Sequence, residues 1–167
     1  MHRLFILRHA KSAPSKPGMN DHDRPLAPRG RLALPTVARH ITELLEGRPL
    51  DLVLCSPAAR TRETVAGITA AIGETPVRFK RRLYLADLDD LLDVLRGQAD
   101  DVHSILLCGH NPGLHQLALA LLGDAAPPAL AHDLPTAGLV VIDVDGGWTS
   151  AGTVAATLTA FTVPGDD

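Results

Sequence analysis

Aromatic residues are scarce in this chain of 167 residues, at 3%, with one Trp, one Tyr and three Phe. Hydrophobic residues nevertheless reach 46%. Because few large rings are available, the core must consist of many small and branched side chains, mainly Leu, Ala and Val, which suits strands packed against helices. The length fits one compact domain, and we expect a single domain over residues 1–167.

Other features are also missing. No apolar stretch approaches the length of a membrane span, and the first residues lack a signal-peptide cleavage pattern, so we expect a cytoplasmic protein without a membrane partner. The formal net charge of −3 argues against nucleic-acid binding, and an anionic ligand would need a local positive pocket. The only two cysteines, Cys55 and Cys108, each end an apolar run, which predicts buried, reduced thiols.

Strand and helix patterns alternate along most of the chain. Apolar runs predict strands over 4–7, 51–55, 77–79, 104–108, 139–144 and 148–161. Helical spacing predicts helices over 29–45, 56–72, 88–95 and 112–122. The last two strands are expected to meet at the turn 145–147 and to pair antiparallel at one side of the sheet. This order predicts an α/β three-layer sandwich, with a mostly parallel, mixed sheet and helices on both faces.

Proline lies near the start of two predicted helices. Pro35 leaves the beginning of helix 29–45 open, or places it within a first turn. Ser56-Pro57 is typical of a cap and first helical position for helix 56–72. The inner face of helix 29–45 is expected to carry Leu32, Val37, Ile41, Leu44 and Leu45.

Three predicted strands end in side chains suited to an anion. Arg8-His9 follows the first, Ser56 to Arg60 follows the second, and His110 lies just after the fourth. Ligands of open α/β sheets bind beyond the carboxyl ends of the strands. Arg60, one turn into its helix, would act on the same anion as the positive end of the helix dipole.

Each of these residues also has an ordinary structural interpretation. Arg8-His9 can be a surface Arg beside a strand-capping His. Arg60 can be a solvated helix residue that pairs with Glu63, three positions on. His110 can be a turn residue whose ring binds a backbone carbonyl. The convergence of all three segments on one edge of the sheet is what favours a phosphate site.

In their order along the chain, these segments resemble the histidine phosphatase superfamily, which has the phosphoglycerate mutase-like fold. The superfamily motifs are Leu7-Arg8-His9-Ala10, Ser56-Pro57-x-x-Arg60 and Gly109-His110-Asn111-Pro112. Further segments resemble its SixA-type phosphohistidine phosphatase branch: Ala10 in place of the more common Gly, Lys11-Ser12, Asp23-Arg24-Pro25-Leu26 and Pro135-Thr136-Ala137. The connections between predicted strands are too short for a cap domain, which predicts an open pocket.

The resemblance implies a mechanism. His9 would attack phosphorus as the nucleophile and form a transient phosphohistidine, while Arg8, Arg60 and His110 would stabilise the phosphoryl oxygens. Ser12, Arg24 and Asn111 would bind the substrate. No metal or cofactor is expected, because zinc needs three or four donors and the neighbouring arginines would repel a cation.

The proton donor departs from the family pattern. Related small members often read Leu-Tyr-Glu where this chain reads Leu83-Tyr84-Leu85, and Leu85 cannot donate a proton. Asp87 is a possible proton donor or a solvated helix cap, whereas Asp89 and Asp90 are expected to begin the following helix. Without a strong acid, an alkyl phosphate is a poor substrate because its alkoxide leaves badly. The imidazole of phosphohistidine, by contrast, leaves readily once it is protonated.

These considerations predict a phosphatase that acts on phosphohistidine in a partner protein, as a monomer. Two alternatives stay open at this point. One is a phosphomonoesterase of broad specificity for small molecules, since an open pocket also admits small phosphates. The other is a phosphoprotein-binding module without turnover, although binding alone would not require His9.

Overall fold

The computed structural model describes residues 1–165, and its centre is one six-stranded sheet. The strands are β1 (His2–Arg8), β2 (Leu52–Cys55), β3 (Val77–Phe79), β4 (Ser104–Gly109), β5 (Leu139–Val144) and β6 (Ala156–Thr162). Their order across the sheet is β3-β2-β4-β1-β5-β6. The first four in this order are parallel, and β5 and β6 are antiparallel to their neighbours. The predicted mixed sheet is thereby confirmed.

Helices cover both faces of the sheet and complete the predicted three layers. The helices are α1 (Pro28–Leu45), α2 (Ala59–Ile72), α3 (Leu88–Arg96), α4 (Gly113–Leu122) and α5 (Pro128–His132). Side chains of β1 alternate between two buried clusters: Phe5 and Leu7 pack with α1 and α2, whereas Leu4 and Ile6 pack with α3 and α4. All four are fully buried, as expected for a strand near the middle of a covered sheet.

The start and inner face of α1 differ from the prediction. The helix begins at Pro28 and continues through Pro35, which is exposed, so that the hydrogen bond it cannot form lies on the solvent side. Leu32 is 80% exposed, and its place in the core is taken by Leu34. Two residues along a helix correspond to a rotation of about 200°, so Leu32 and Leu34 point in nearly opposite directions.

The start of α2 was also predicted wrongly. This helix begins at Ala59, with Ala58 as its N-cap, and no side chain caps it. Ser56 and Pro57 therefore precede the helix. The hydroxyl of Ser56 instead binds His110, as described below.

The C-terminal segments hold two further corrections. The predicted strand 148–161 begins only at Ala156, because the chain first leaves the sheet in a short 3-10 helix that buries Trp148 completely. The Trp148 indole donates to the carbonyl of Val102 at 2.6 Å. The turn 145–147 is consequently part of a longer connection. Helix α5 lies in a Pro- and Ala-rich segment to which the sequence patterns assign no helix or strand.

Cys55 and Cys108 are free and buried, as predicted. They lie opposite each other in neighbouring strands β2 and β4. Within residues 1–165, no helix is both long and apolar enough to cross a membrane.

Candidate active site

Three adjacent strand ends form the candidate site. The sheet order places β4 between β2 and β1, with Cys55 opposite Cys108 and Arg8 opposite Gly109. Because these strands are parallel, the residues that follow them come out at the same edge. The sheet thus brings together Ser56, His9 and His110, each from a different strand end.

The ring of His9 is held in one tautomer. Its Nδ1 donates to the carbonyl of Ala10 at 2.7 Å, and its Nε2 accepts from Nε of Arg60 at 3.3 Å. A carbonyl can only accept and a guanidinium can only donate, so the proton is on Nδ1 and the lone pair on Nε2. Only 6% of His9 is exposed. Burial lowers the pKa of His9 to about 4, and the charges of Arg60 and Arg8 contribute to the same shift.

His110 lies beside His9, with 5.5 Å between the ring centroids. Its Nε2 is 2.7 Å from the hydroxyl of Ser56. Burial, and then the charge of Arg60, lower the pKa of His110 to about 3. Its Nδ1 is buried and has no hydrogen-bond partner among the described residues. The ring therefore binds a hydroxyl on one side and leaves its other nitrogen without a described partner, unlike the alternative of a turn histidine with a carbonyl partner.

Arg60 is 3% exposed and joins His9 to the loop before α1. Besides its bond to His9, the guanidinium donates to the carbonyl of Asp21 at 2.8 Å and to Oδ2 of Asp21 at 3.0 Å. Glu63, its alternative partner from the sequence, instead accepts from the amide of Leu26 and from Arg31. The interpretation of Arg60 as a solvated helix residue is therefore wrong.

Arg8 and Asn111 share one backbone acceptor. Both side chains donate to the carbonyl of Leu134, at 3.1 Å from Arg8 and 2.8 Å from Asn111. Nε of Arg8 and Oδ1 of Asn111 are buried without a partner in the described part of the chain. Burial is the main cause of a lowered pKa for Arg8, and the charge of Arg60 acts in the same direction.

Asp21 and Tyr84 belong to the same cluster, although the sequence did not single out Asp21. The Tyr84 hydroxyl donates to Oδ2 of Asp21 at 2.6 Å, and Arg24 donates to Oδ1 at 3.0 Å. These bonds, with those from Arg60, hold the pKa of Asp21 well below its usual range. The Tyr84 ring meets the ring of His110 edge to face at 5.4 Å. No local pattern marks Asp21, because only the path of its loop brings it to Arg60.

The remaining predicted residues lie on the surrounding loops. Arg24 donates to the hydroxyl of Ser12 and to the carboxylate of Asp21, which connects it to the cluster. Ser12 also forms an isolated β-bridge with Leu26. Asp87 is exposed, and its carboxylate caps α3 by accepting the amide of Asp90 at 2.9 Å. The structure therefore displays the cap that the sequence suggested, and a role of Asp87 as proton donor stays a prediction.

A tight contact fixes the loop that follows His9. Gly30, in the first turn of α1, lies against the backbone of Lys11, and a Cβ built on it would be 2.1 Å from the Lys11 carbonyl oxygen. Only glycine fits this approach. The position of the loop around Ala10 thus depends on the first turn of α1.

The site contains several cations and no obvious metal ligand set. Among residues 1–165, no three His, Cys, Asp or Glu side chains lie close enough together to hold a metal ion. Buried arginines and neutral histidines are groups that bind an anion with charged and dipolar hydrogen-bond donors. The arrangement is therefore suited to a phosphate group.

Comparison with known proteins agrees with this chemistry. The family model described as histidine phosphatase superfamily (branch 1) matches residues 4–93. The chain belongs to this superfamily. An uncharacterized protein of Mycobacterium tuberculosis is 36% identical over 165 residues, covering 95% of this chain and 99% of the relative.

Solved structures extend the comparison. A protein from Agrobacterium tumefaciens assigned as a SixA phosphohistidine phosphatase is 30% identical, with a TM-score of 0.84 and 98% of each chain covered. A SixA assignment from Nakamurella multipartitia is 27% identical, with a TM-score of 0.79 over 98% of this chain and 96% of that one. The alpha-ribazole phosphatase from Shigella flexneri shares the fold at 19% identity and a TM-score of 0.62, covering 97% and 96%. The SixA-type resemblance and the phosphoglycerate mutase-like fold are thus confirmed, and a phosphatase is supported.

Proposed function

We propose that this protein hydrolyses phosphohistidine on a partner protein through a covalent intermediate at His9. The observation that carries the proposal is the state of the His9 ring: its Nε2 is unprotonated, with an electron pair that accepts only from Arg60, and its pKa of about 4 keeps the ring neutral at physiological pH. A neutral, oriented imidazole is the form that attacks phosphorus.

The first step transfers the phosphoryl group. Nε2 of His9 forms a bond to phosphorus as the bond to the substrate imidazole breaks, and the leaving imidazole takes one proton from solvent water. Nε of Arg60, which donates to Nε2 of His9 at 3.3 Å, then turns its proton to a phosphoryl oxygen. In the second step water attacks phosphorus, the bond to Nε2 breaks, and inorganic phosphate and neutral His9 are released.

The unpartnered buried atoms support the role of the other residues. Nε of Arg8 is a buried donor that can donate to a phosphoryl oxygen. Nδ1 of His110 is also a donor when it carries the ring proton. Charge spreads over the non-bridging oxygens in the transition state, so such donors stabilise it. Asn111, Ser12 and Arg24 complete the proposed binding site at its margin.

The protonation states favour a phosphoramidate over an ester. Leu85, at the position where related proteins often have Glu, is 56% exposed, and its side chain has no acidic proton to donate. Hydrogen bonds from Tyr84, Arg24 and Arg60 keep the Asp21 carboxylate ionised, so it is a poor acid. An alkoxide needs such an acid to leave, whereas the imidazole of phosphohistidine can be protonated by water at neutral pH.

A trapping experiment tests the covalent step. Brief mixing with a ³²P-labelled phosphohistidine peptide, followed by denaturation, should leave an acid-labile, base-stable label on the wild-type protein and none on His9→Ala. Absence of the label in wild-type protein during turnover would contradict the intermediate. Absence of both label and turnover, with retained peptide binding, would instead favour the phosphoprotein-binding module.

A substrate comparison tests the leaving group. The phosphohistidine peptide should be hydrolysed with a higher kcat/KM than a panel of sugar and aryl phosphates. If Asp87→Asn abolishes ester hydrolysis but leaves phosphohistidine hydrolysis unchanged, Asp87 serves as an acid for esters alone. A preference for a small sugar phosphate would contradict the proposed substrate and favour the broad-specificity phosphomonoesterase.

A further inference from the structure

Although the net charge of the chain is −3, one segment beside the candidate active site is strongly basic. Residues 78–82 read Arg-Phe-Lys-Arg-Arg and run from β3 into the short 3-10 helix that precedes Tyr84. With Arg62, four of these residues form what we call the basic surface: Arg62, Arg78, Phe79, Lys80 and Arg81. Arg82 is not included, because Asp90 and Asp93 bind it at 2.9 and 2.7 Å.

Most cations of the basic surface have no acidic partner. No described carboxylate lies within ion-pair distance of Arg78, Lys80 or Arg81, and Arg78 and Arg81 are exposed. Exposed cations of this protein elsewhere often pair with a nearby acid, as Arg39 does with Glu43. A group of like charges without partners repels itself, so it is stabilised by an anion from outside.

Arg62 and Phe79 give the basic surface a fixed part. The Arg62 guanidinium lies over the Phe79 ring, 4.0 Å from its centroid, and its Nε donates to the carbonyl of Pro57 at 2.8 Å. These contacts orient the cation while its other N–H groups stay available. Phe79 is 43% exposed, so the surface also offers an apolar contact next to the charges.

The basic surface is continuous with the candidate active site. The amide of Lys80 donates to the carbonyl of Cys55 at 3.0 Å, one residue before the Ser56 that binds His110. At its other end the segment leads to Tyr84, whose ring contacts His110. An anionic chain that lies on this surface would therefore extend directly to the phosphate site.

The sheet also leaves room for such a chain. β3 is an edge strand that pairs only with β2, and it runs parallel to the strands whose carboxyl ends carry the site. Arg78 and Phe79 point to opposite faces of this edge, and the Arg62 guanidinium lies over the Phe79 ring, so a cation flanks the edge on each side. An extended segment along the outer edge of β3 would therefore lie close to positive charge.

We propose that the basic surface binds an acidic segment of the phosphorylated protein, adjacent to its phosphohistidine. This inference rests on the proposed function for its substrate, but the contact itself requires only a row of Asp or Glu side chains. The surface then acts on substrate selection: it increases affinity for acidic partners and leaves the chemical step unchanged.

A binding measurement tests the contact without catalysis. We compare Arg78→Gln/Arg81→Gln with a control variant, Arg39→Gln/Arg48→Gln, that loses the same two charges from α1 and its following turn. The probe is a short fluorescent poly-Glu peptide without phosphate, and a poly-Gln peptide is its neutral match. At low salt, wild-type and control proteins should bind poly-Glu, and the basic-surface variant should bind about tenfold more weakly. Equal binding by both variants, or tighter binding of a single-stranded oligonucleotide than of poly-Glu, would overturn the inference.

A turnover measurement separates this inference from the proposed function. For phosphohistidine peptides with Glu flanks, the basic-surface variant should show a KM raised about tenfold and an unchanged kcat, whereas free phosphohistidine should be hydrolysed within twofold of wild type. Turnover without any preference for Glu over Gln flanks would overturn the docking surface and leave the proposed function intact. Binding of poly-Glu through Arg78 and Arg81 without phosphohistidine turnover would overturn the proposed function and keep the surface.

Discussion

The two ends of β1 carry the same two residue types in opposite order, His2-Arg3 at the amino end and Arg8-His9 at the carboxyl end. At the amino end, both ring nitrogens of His2 face backbone carbonyls, at 2.7 and 2.9 Å. Arg3 holds Asp143 through two hydrogen bonds of 2.8 and 3.0 Å. Each of these polar groups lies within hydrogen-bond distance of a group in the fold.

The carboxyl end is built differently. Within residues 1–165, Nε of Arg8 is buried without a partner, and His9 faces a second cation, Arg60, instead of a carboxylate. The pKa shifts have opposite directions: bonds to Asp143 raise the pKa of Arg3, whereas burial lowers the pKa of Arg8. The same residue types thus stabilise the fold at one end of a strand and, at the other, remain available to an anion.

Replacing His9 should produce the largest separation between the two ends. His9→Asn removes the nucleophile, and we expect kcat to fall by about 10³-fold or more. Its thermal midpoint should stay at or above that of wild type, because a buried ring crowded by cations is no longer present. His2→Gln should do the reverse, with a lower midpoint and an unchanged kcat. A loss of activity in His2→Gln as large as in His9→Asn would contradict the distinction.

Arg60→Lys should have the next largest effect. Lysine keeps the charge but cannot contact His9 and both acceptors of Asp21 with one planar group, so kcat should fall about 10²-fold. The matched control is Arg62→Lys, two residues further along α2 and on its exposed side. Steady-state kinetics with the phosphohistidine peptide would measure both. Equal kcat values for the two variants would show that charge alone is needed at position 60.

Breaking the amino-end pair should affect stability alone. Arg3→Ala leaves Asp143, whose side chain is 15% exposed, with one partner fewer in a partly buried position. We expect the free energy of unfolding to fall by about 1–3 kcal/mol, with kcat within twofold of wild type. Urea unfolding and steady-state kinetics on the same preparation check both values. If kcat of the folded Arg3→Ala variant falls by more than twofold, the two ends of β1 are coupled, and the prediction is contradicted.

A further expected effect is a pH dependence that arises from the carboxyl end. His9 and His110 have folded pKa values of about 4 and about 3, below the usual 6.5. At a pH between the folded and the unfolded pKa, the unfolded chain binds more protons than the native protein. The free energy of unfolding should therefore decrease as the pH falls from about 6.5 to about 4. Urea unfolding across this range should show a shallower decrease for His9→Asn. Identical slopes for wild type and variant would contradict a neutral, buried His9.

Sequence patterns were most informative where regular geometry places a residue. Parallel strands bring their carboxyl ends to one edge, so the convergence of Arg8, Arg60 and His110 on that edge could be predicted from the alternation of strands and helices along the chain. Helical spacing was less decisive for α1, because both Leu32 and Leu34 are apolar and only packing selects between them. Burial of Trp148 likewise required knowledge of the finished core, and it shortened a predicted strand.

Contacts made by loops could not be predicted in this way. Asp21 reaches Arg60 across 39 positions of sequence, and Ser56 reaches His110 across 54. Neither contact follows from a periodic pattern, since the path of a loop depends on the whole fold. Ser56 also illustrates a local signal with the wrong meaning: its position before Pro57 suggested a helix cap, yet its hydroxyl binds a histidine.

The contact between Gly30 and Lys11 extends the active site beyond the residues that can touch phosphate. A single methyl group at Gly30 would lie 2.1 Å from the Lys11 carbonyl oxygen and displace the segment whose Ala10 carbonyl orients His9. Anyone who redesigns α1 for solubility or for attachment to a surface should therefore treat its first turn as part of the candidate active site.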